Sequence, residues 1–414
     1  MRPTAPVRLW RKIAPKLTPL NLFLLLIPTL LGITLIAALF TRGTAVRSLF
    51  FLRGQDLFMD FFNSARDLFL GTGAYTERLV IYPPMANLIF QLFSLCIPNS
   101  YLSLSFAARM RWPDFAGAWV AILLFLVLLV ALLFAVCYWG FRHPQKRMRA
   151  WVALCAVLSG SVLFGLERGN IAVLSCAATL FFLFSLEHPS KWVRELGLLA
   201  LAFAFSLKLY PAVFGWLLIT NRRYREAVRC ALYGVLLLLI PSFFYGGPIC
   251  LWWMVENLLR FSSWQSSGAA AGYIPAHLWM RKGFMKVVYY GVIALSAGLF
   301  VVTSFLRRRE ESRFEDSVFL SALVLALPSV QTPYVWFLLL YPFLLLLQEN
   351  RWRAEHVPYY VLILIPLLPL PLYFGYRTLV ELILPTVSLL LLLLCAADTL
   401  WRLYRQKKKR AVGE

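Results

Sequence analysis

Apolar residues in this chain come in unbroken runs rather than at a helical or strand period, and short polar clusters separate the runs. That is the pattern of helices surrounded by lipid, which need about 20 apolar residues to span a bilayer and have no side that must face water. The runs fall at 20–41, 116–140, 150–166, 170–187, 195–209, 211–220, 230–247, 285–305, 316–329, 334–348, 357–374 and 379–401. They predict an all-α polytopic membrane protein with about twelve crossings. Between 195 and 220 a proline, Pro211, follows Lys208-Leu209-Tyr210, and basic clusters flank both ends. A single crossing would put one cluster on the wrong side, so this stretch is expected to be a hairpin broken at Lys208–Pro211. The short run 84–97 is placed in a large external segment, 42–115, as re-entrant or interfacial structure, and 248–284 forms a second external loop.

Composition agrees: 61% of residues are hydrophobic, 14% are charged and the mean hydropathy is +0.72, which excludes an ordinary soluble domain. A net charge of +22 would suggest nucleic acid as a partner, but position decides otherwise. Of 41 Lys and Arg, 27 fall in seven short segments, 2–16, 142–149, 191–194, 222–229, 307–313, 351–353 and 402–410. This positive-inside bias predicts that both termini are cytoplasmic, with 403–414 a basic tail beyond a single membrane domain, 1–402, and it leaves no need for nucleic acid. The first run is too long for a signal-peptide core and is expected to be retained. The seven cysteines lie in apolar stretches without C-x-x-C spacing, so they are expected to be packing residues, with no metal site and no resident cofactor.

The polar residues on the opposite side are the candidates for chemistry, because ionisable groups at membrane depth are costly and are usually functional. Residues 57–70 mix Leu57, Phe58, Phe61 and Phe62 with acids and suit a helix lying along the interface. Asp56 and Asp60 are four apart, on one face if that helix includes both. Such a pair suits a general base, or it simply faces water. Tyr82-Pro83-Pro84 starts a helix. Glu167-Arg168-Gly169-Asn170 forms a turn whose acid, base and amide bind sugar hydroxyls or phosphate, or make only a local ion pair. Lys208 and neighbouring Tyr210 sit in an apolar hairpin, where a lone ammonium either meets an anion such as a lipid phosphate or snorkels outward. Trp264 and Gln265 offer sugar-binding surfaces, with Trp264 equally an interfacial anchor. His277 and Gln331 are further polar residues of external segments.

Taken in order, Asp60…Ala65, Gly71…Tyr75, Tyr82-Pro-Pro, Arg168-Gly-Asn, Lys208-Leu-Tyr-Pro and Arg222-Arg-Tyr-Arg-Glu226 resemble glycosyltransferase family 87, over about residues 20–350. The resemblance implies a GT-C fold in a bacterial plasma membrane, with its cavity on the external face. A sugar, mannose in the family, passes with inversion from a polyprenyl-phosphate donor to a hydroxyl of a glycan or glycolipid acceptor. It maps the base onto Asp60, with Asp56 second, and aligns the family's conserved lysine with Lys208. The charge argument above extends Lys208 to the phosphate. Two departures stand out. Glu167-Arg168-Gly-Asn170 replaces a common Gly-Gln-x-Asn, and Ser329-Val-Gln331-Thr-Pro333-Tyr334 lacks the family's histidine. The second leaves room for a pentose instead of mannose. A transporter or flippase of a lipid-linked saccharide is the other class open to these residues, although no second copy of the broken hairpin is evident.

Overall fold

The computed structural model describes residues 17–42, 57–67, 73–103, 117–266, 283–306, 313–327, 333–369 and 377–412, and these are helical throughout with no strand. The main helices are α1 (Pro19–Phe40), α2 (Met59–Asp67), α3 (Pro84–Ser94), α4 (Trp119–Gly140), α5 (Lys146–Val157), α6 (Gly160–Glu167), α7 (Ala172–Ser185) and α8 (Lys191–Leu207). They are followed by α9 (Tyr224–Ser242), α10 (Ile249–Ser266), α11 (Gly283–Leu306), α12 (Arg313–Ala326), α13 (Leu340–Glu349), α14 (Val357–Leu367) and α15 (Arg377–Val412). Five helical stretches, Pro19–Phe40, Trp119–Gly140, Tyr224–Tyr245, Gly283–Phe305 and Pro385–Tyr404, are long and apolar enough to cross a membrane. The bent pair α5–α6 makes a sixth. The chain is therefore a multi-pass membrane protein. Four further apolar helices have only 10–17 residues.

Helix α7 is the centre of the bundle. Almost all of its 14 residues are buried, and a helix apolar on every side is stable only when other helices enclose it. Ser175 Oγ donates to the Ala204 carbonyl of α8 at 3.0 Å, and Cys176 Sγ faces the Phe337 carbonyl at 3.7 Å. The α7–α8 contact is close because Gly197 has no side chain: a Cβ there would lie 1.8 Å from Ser185 Oγ. Small residues let membrane helices approach in this way.

The expected hairpin at 195–220 is present. Helix α8 ends at Leu207, Lys208 is extended, and the chain continues as a 3₁₀ helix, Tyr210–Gly215, and a short α-helix, Trp216–Thr220. Its two ends meet where Arg223 donates to the Leu186 carbonyl and Glu226 faces both Arg223, at 3.4 Å, and Arg194, at 4.0 Å. The other basic segments gather there too. Gln348 Nε2 reaches the Gly140 carbonyl at 3.2 Å, Trp139 packs on His188, and Trp352 Nε1 donates to the Leu17 carbonyl at 2.6 Å. Phe314 lies against His356, with ring centres 5.3 Å apart, and Arg402 pairs with Glu315. The basic segments, or their described neighbours, thus share one end of the molecule, and the Lys208 break lies at the other.

Several expectations are corrected. The run 150–166 is not one straight span: α5 and α6 meet at 56° across Leu158-Ser159. Helix α2 does not turn its apolar face to lipid, because Phe61, Phe62 and Ala65 are buried against Phe90, Phe125 and Tyr101 of the protein itself. Helix α2 begins only at Met59, after Phe58 in a left-handed conformation (φ 55°), and Asp56 lies outside the described residues. Half of the expected 248–284 loop is helix α10, whose Cys250, Met254 and Asn257 point inward at helical spacing. Helix α15 runs through the basic tail to Val412 without a break at 402.

Replacing Gly197 by Val is expected to lower the thermal unfolding temperature in detergent, since overpacking costs about 1–3 kcal/mol. Gly298→Val, where a Cβ has nothing within 4 Å, should leave it unchanged. Equal melting of the two variants would contradict the close α7–α8 contact.

Candidate active site

The turn after α6 and the start of α2 are joined through their backbones. Phe58 N–H donates to the Glu167 carbonyl at 2.8 Å, and Asp60 N–H donates to the Arg168 carbonyl at 3.1 Å. Gly169 makes the approach possible. It takes φ +62°, and a Cβ would lie 2.8 Å from Phe61 Cβ. Only glycine meets both conditions without strain.

That docking brings the two side chains together, 108 residues apart in sequence. Arg168 holds Asp60 with both prongs of its guanidinium, Nη2 to Oδ1 at 2.5 Å and Nε to Oδ2 at 3.2 Å. Asn170 Nδ2 adds a third bond to Oδ2 at 2.7 Å and also reaches Tyr82 Oη at 3.3 Å. The amide's orientation is fixed, because its oxygen accepts the Ala172 N–H at 2.8 Å at the start of α7 and only the NH₂ remains to face the carboxylate. Asp60 also stands in the first turn of α2, where the helix dipole favours negative charge. Burial alone pushes its carboxyl up; the charge and hydrogen bonds of Arg168, the Asn170 amide and the charge of Lys208 outweigh this and hold it below the usual carboxylate range.

Lys208 completes the group. Its ammonium lies 4.2 Å from the centre of the Tyr82 ring and 6.0 Å from that of Tyr334, in cation–π positions. The helix break at Lys208–Pro211 lets the side chain leave the end of α8 toward Tyr82. Tyr210, two residues on, packs against the apolar core, with its hydroxyl buried and without a hydrogen-bond partner among the described residues. Tyr82 in turn is held by its backbone: its carbonyl accepts from Tyr75 Oη at 2.8 Å, and Asn87 Nδ2 donates to Tyr75 Oη at 2.7 Å. Asn257 of α10 ties the same loop by donating to the Tyr75 and Val80 carbonyls at 2.9 and 3.1 Å.

Five of the candidates, Asp60, Tyr82, Arg168, Asn170 and Lys208, therefore converge at the end of the bundle opposite the basic segments. Glu167 is buried and contributes its carbonyl. Trp264 and Gln265 fall near the end of α10, but their side chains lie outside the described residues, as do Asp56, His277 and Gln331 entirely. Tyr75 and Tyr334 stand in the motifs quoted above but are not among the candidates, and neither are Asn87 and Asn257. Tyr334 follows the segment that departs from the family pattern, and that position was the available signal. The other three are uncharged groups satisfying backbone carbonyls, for which spacing gives none.

The model of glycosyltransferase family 87 matches residues 80–332, more than half of the chain. The chain belongs to glycosyltransferase family 87. It is a membrane glycosyltransferase, which decides against the transporter. The match includes Tyr82, Arg168, Asn170 and Lys208 but begins after Asp60, whose place in the site rests on the geometry above. No curated protein and no solved structure matches the chain.

Asn170→Asp sets a second carboxylate against Asp60. It is expected to reduce glycosyl transfer by about 10²-fold or more and to lower thermal stability further than Asn170→Ala, since like charges at this distance cannot both stay ionised cheaply. Melting curves and initial rates of both variants check this, and an Asp variant as active as wild type would contradict the Asn170–Asp60 contact.

Proposed function

We propose that this glycosyltransferase takes its sugar from a polyprenyl-phosphate donor and transfers it, with inversion, to a hydroxyl of a glycan or glycolipid acceptor on the non-cytoplasmic face of a bacterial plasma membrane. What carries the proposal is one carboxylate, Asp60, set among the cations Arg168 and Lys208 at the end of the molecule away from the basic segments. In the reaction the acceptor oxygen attacks the anomeric carbon, and its proton passes to Asp60. The bond from that carbon to the phosphate oxygen breaks, and polyprenyl phosphate leaves with the electron pair as a dianion. Lys208 and Arg168 stabilise the charge that grows on the leaving phosphate, where water is scarce and such charges count for more than in solution. A single displacement needs no enzyme nucleophile and, on this proposal, no resident cofactor. Tyr82 holds the Lys208 ammonium on its ring face.

The proposed architecture is a GT-C fold of about twelve crossings, with the shorter helices as additional spans and both termini cytoplasmic. The clustering of basic segments at the opposite end supports that orientation. Mannose is the proposed sugar. A pentose is the second reading, favoured by the absence of histidine from Ser329-Val-Gln-Thr-Pro-Tyr334.

Asp60→Asn is expected to abolish transfer, by about 10²–10⁴-fold for loss of a general base, while the protein still inserts and purifies as wild type. Lys208→Gln should lower kcat by about 10²-fold. Wild-type rates in the Asp60 variant, measured by release of polyprenyl phosphate, would sink the base assignment.

A further inference from the structure

A carboxylate in the grip described above is poorly placed to take a proton. Asp60 accepts three charge-assisted or amide hydrogen bonds, from Arg168 Nη2 on Oδ1 and from Arg168 Nε and Asn170 Nδ2 on Oδ2. Each favours the ionised form, so each opposes protonation during attack. Yet the site holds two cations, Arg168 and Lys208, around this one carboxylate. The guanidinium fork that fits a carboxylate fits a phosphate equally well.

We propose that Arg168 is shared between Asp60 and the phosphate of the lipid donor: it holds Asp60, as in this structure, and turns to the phosphate when the donor arrives, which frees Asp60 to act as base. This rests on the donor and base roles proposed above and adds how they are linked. The geometry permits the exchange without loss of aim. The Asn170 amide is anchored by the Ala172 N–H, and Asp60 N–H is bound to the Arg168 carbonyl. The carboxylate therefore keeps its place when the Arg168 side chain moves. Arg168 and Asp60 side chains are 19% and 18% exposed, so the pair is within reach of a ligand and not sealed in the core. Donor phosphate then acts twice on Asp60, by drawing off its counter-charge and by adding a negative charge nearby, and both raise its affinity for the acceptor proton. Proton abstraction is thereby confined to the complex that already holds a donor.

If Asp60 and phosphate compete for Arg168, removing the carboxylate's charge must strengthen phosphate binding. The test is the affinity of purified full-length protein for farnesyl phosphate, the probe, at fixed pH and salt. Asp60→Asn is expected to bind it about three- to tenfold tighter than wild type, and Asp60→Ser should do the same if the Asn variant purifies poorly. The gain should vanish when Arg168→Gln is added. Unchanged or weaker binding in both Asp60 variants, or a gain that survives Arg168→Gln, would overturn the sharing. The base reading fails separately, by retained transfer in Asp60→Asn. A variant that is inactive but binds the probe as wild type keeps the base and removes the exchange.

Discussion

The pairing of the 167–170 turn with the start of α2 is the constraint on which the site depends. Two backbone hydrogen bonds and a two-pronged ion pair cross between segments more than a hundred residues apart. They form only because Gly169 admits Phe61 at contact distance and because Phe61 and Phe62 anchor α2 in the protein core. The turn is itself fixed from two directions: α6 delivers Glu167 and Arg168, and Asn170 opens α7, the most buried helix of the bundle. A short amphipathic helix outside the spans is in this way registered against the centre of the membrane domain.

Much of the chemistry was legible in the sequence because lipid makes polar residues conspicuous. Lys208 in an apolar hairpin and Arg168 between two apolar runs each needed an explanation, and the fold supplies one by bringing both to Asp60 and Tyr82. The break at Pro211 and the helix start at Pro84 follow from the missing proline donor alone. What escaped notice depends on tertiary contact. The left-handed turn at Phe58 accompanies the docking of its N–H on the Glu167 carbonyl, a contact that local sequence does not announce. Helix α10 was hidden by the serines of its own last turns, Ser262, Ser263 and Ser266. Tyr75, Asn87 and Asn257 carry no charge to mark them, and they matter because they tie the loop that carries Tyr82: Tyr75 donates to the Tyr82 carbonyl, Asn87 to the Tyr75 hydroxyl, and Asn257 to the Tyr75 and Val80 carbonyls.

Electrostatics gives the site its direction. Two cations stand by Asp60, an arginine bound to the carboxylate and a lysine lying on an aromatic ring. The two cations differ in how they are held. Lys208 rests on ring faces that an anion does not displace, whereas Arg168 faces a rival for its hydrogen bonds. On the proposed sharing of Arg168, a donor phosphate meets one fixed cation and one that must be won from Asp60, which would link donor binding to the reactivity of the proposed base.

The proposed reaction breaks a sugar–phosphate bond of a lipid donor. The most direct measurement is to incubate the purified protein and an acceptor glycan with a panel of polyprenyl-phosphate sugars, following free polyprenyl phosphate and the configuration of the new glycosidic bond. One polyprenyl phosphate is expected to be released per sugar transferred, with inversion at the anomeric carbon. Transfer from a nucleotide sugar with no release from any lipid donor, or retention of configuration, would contradict it.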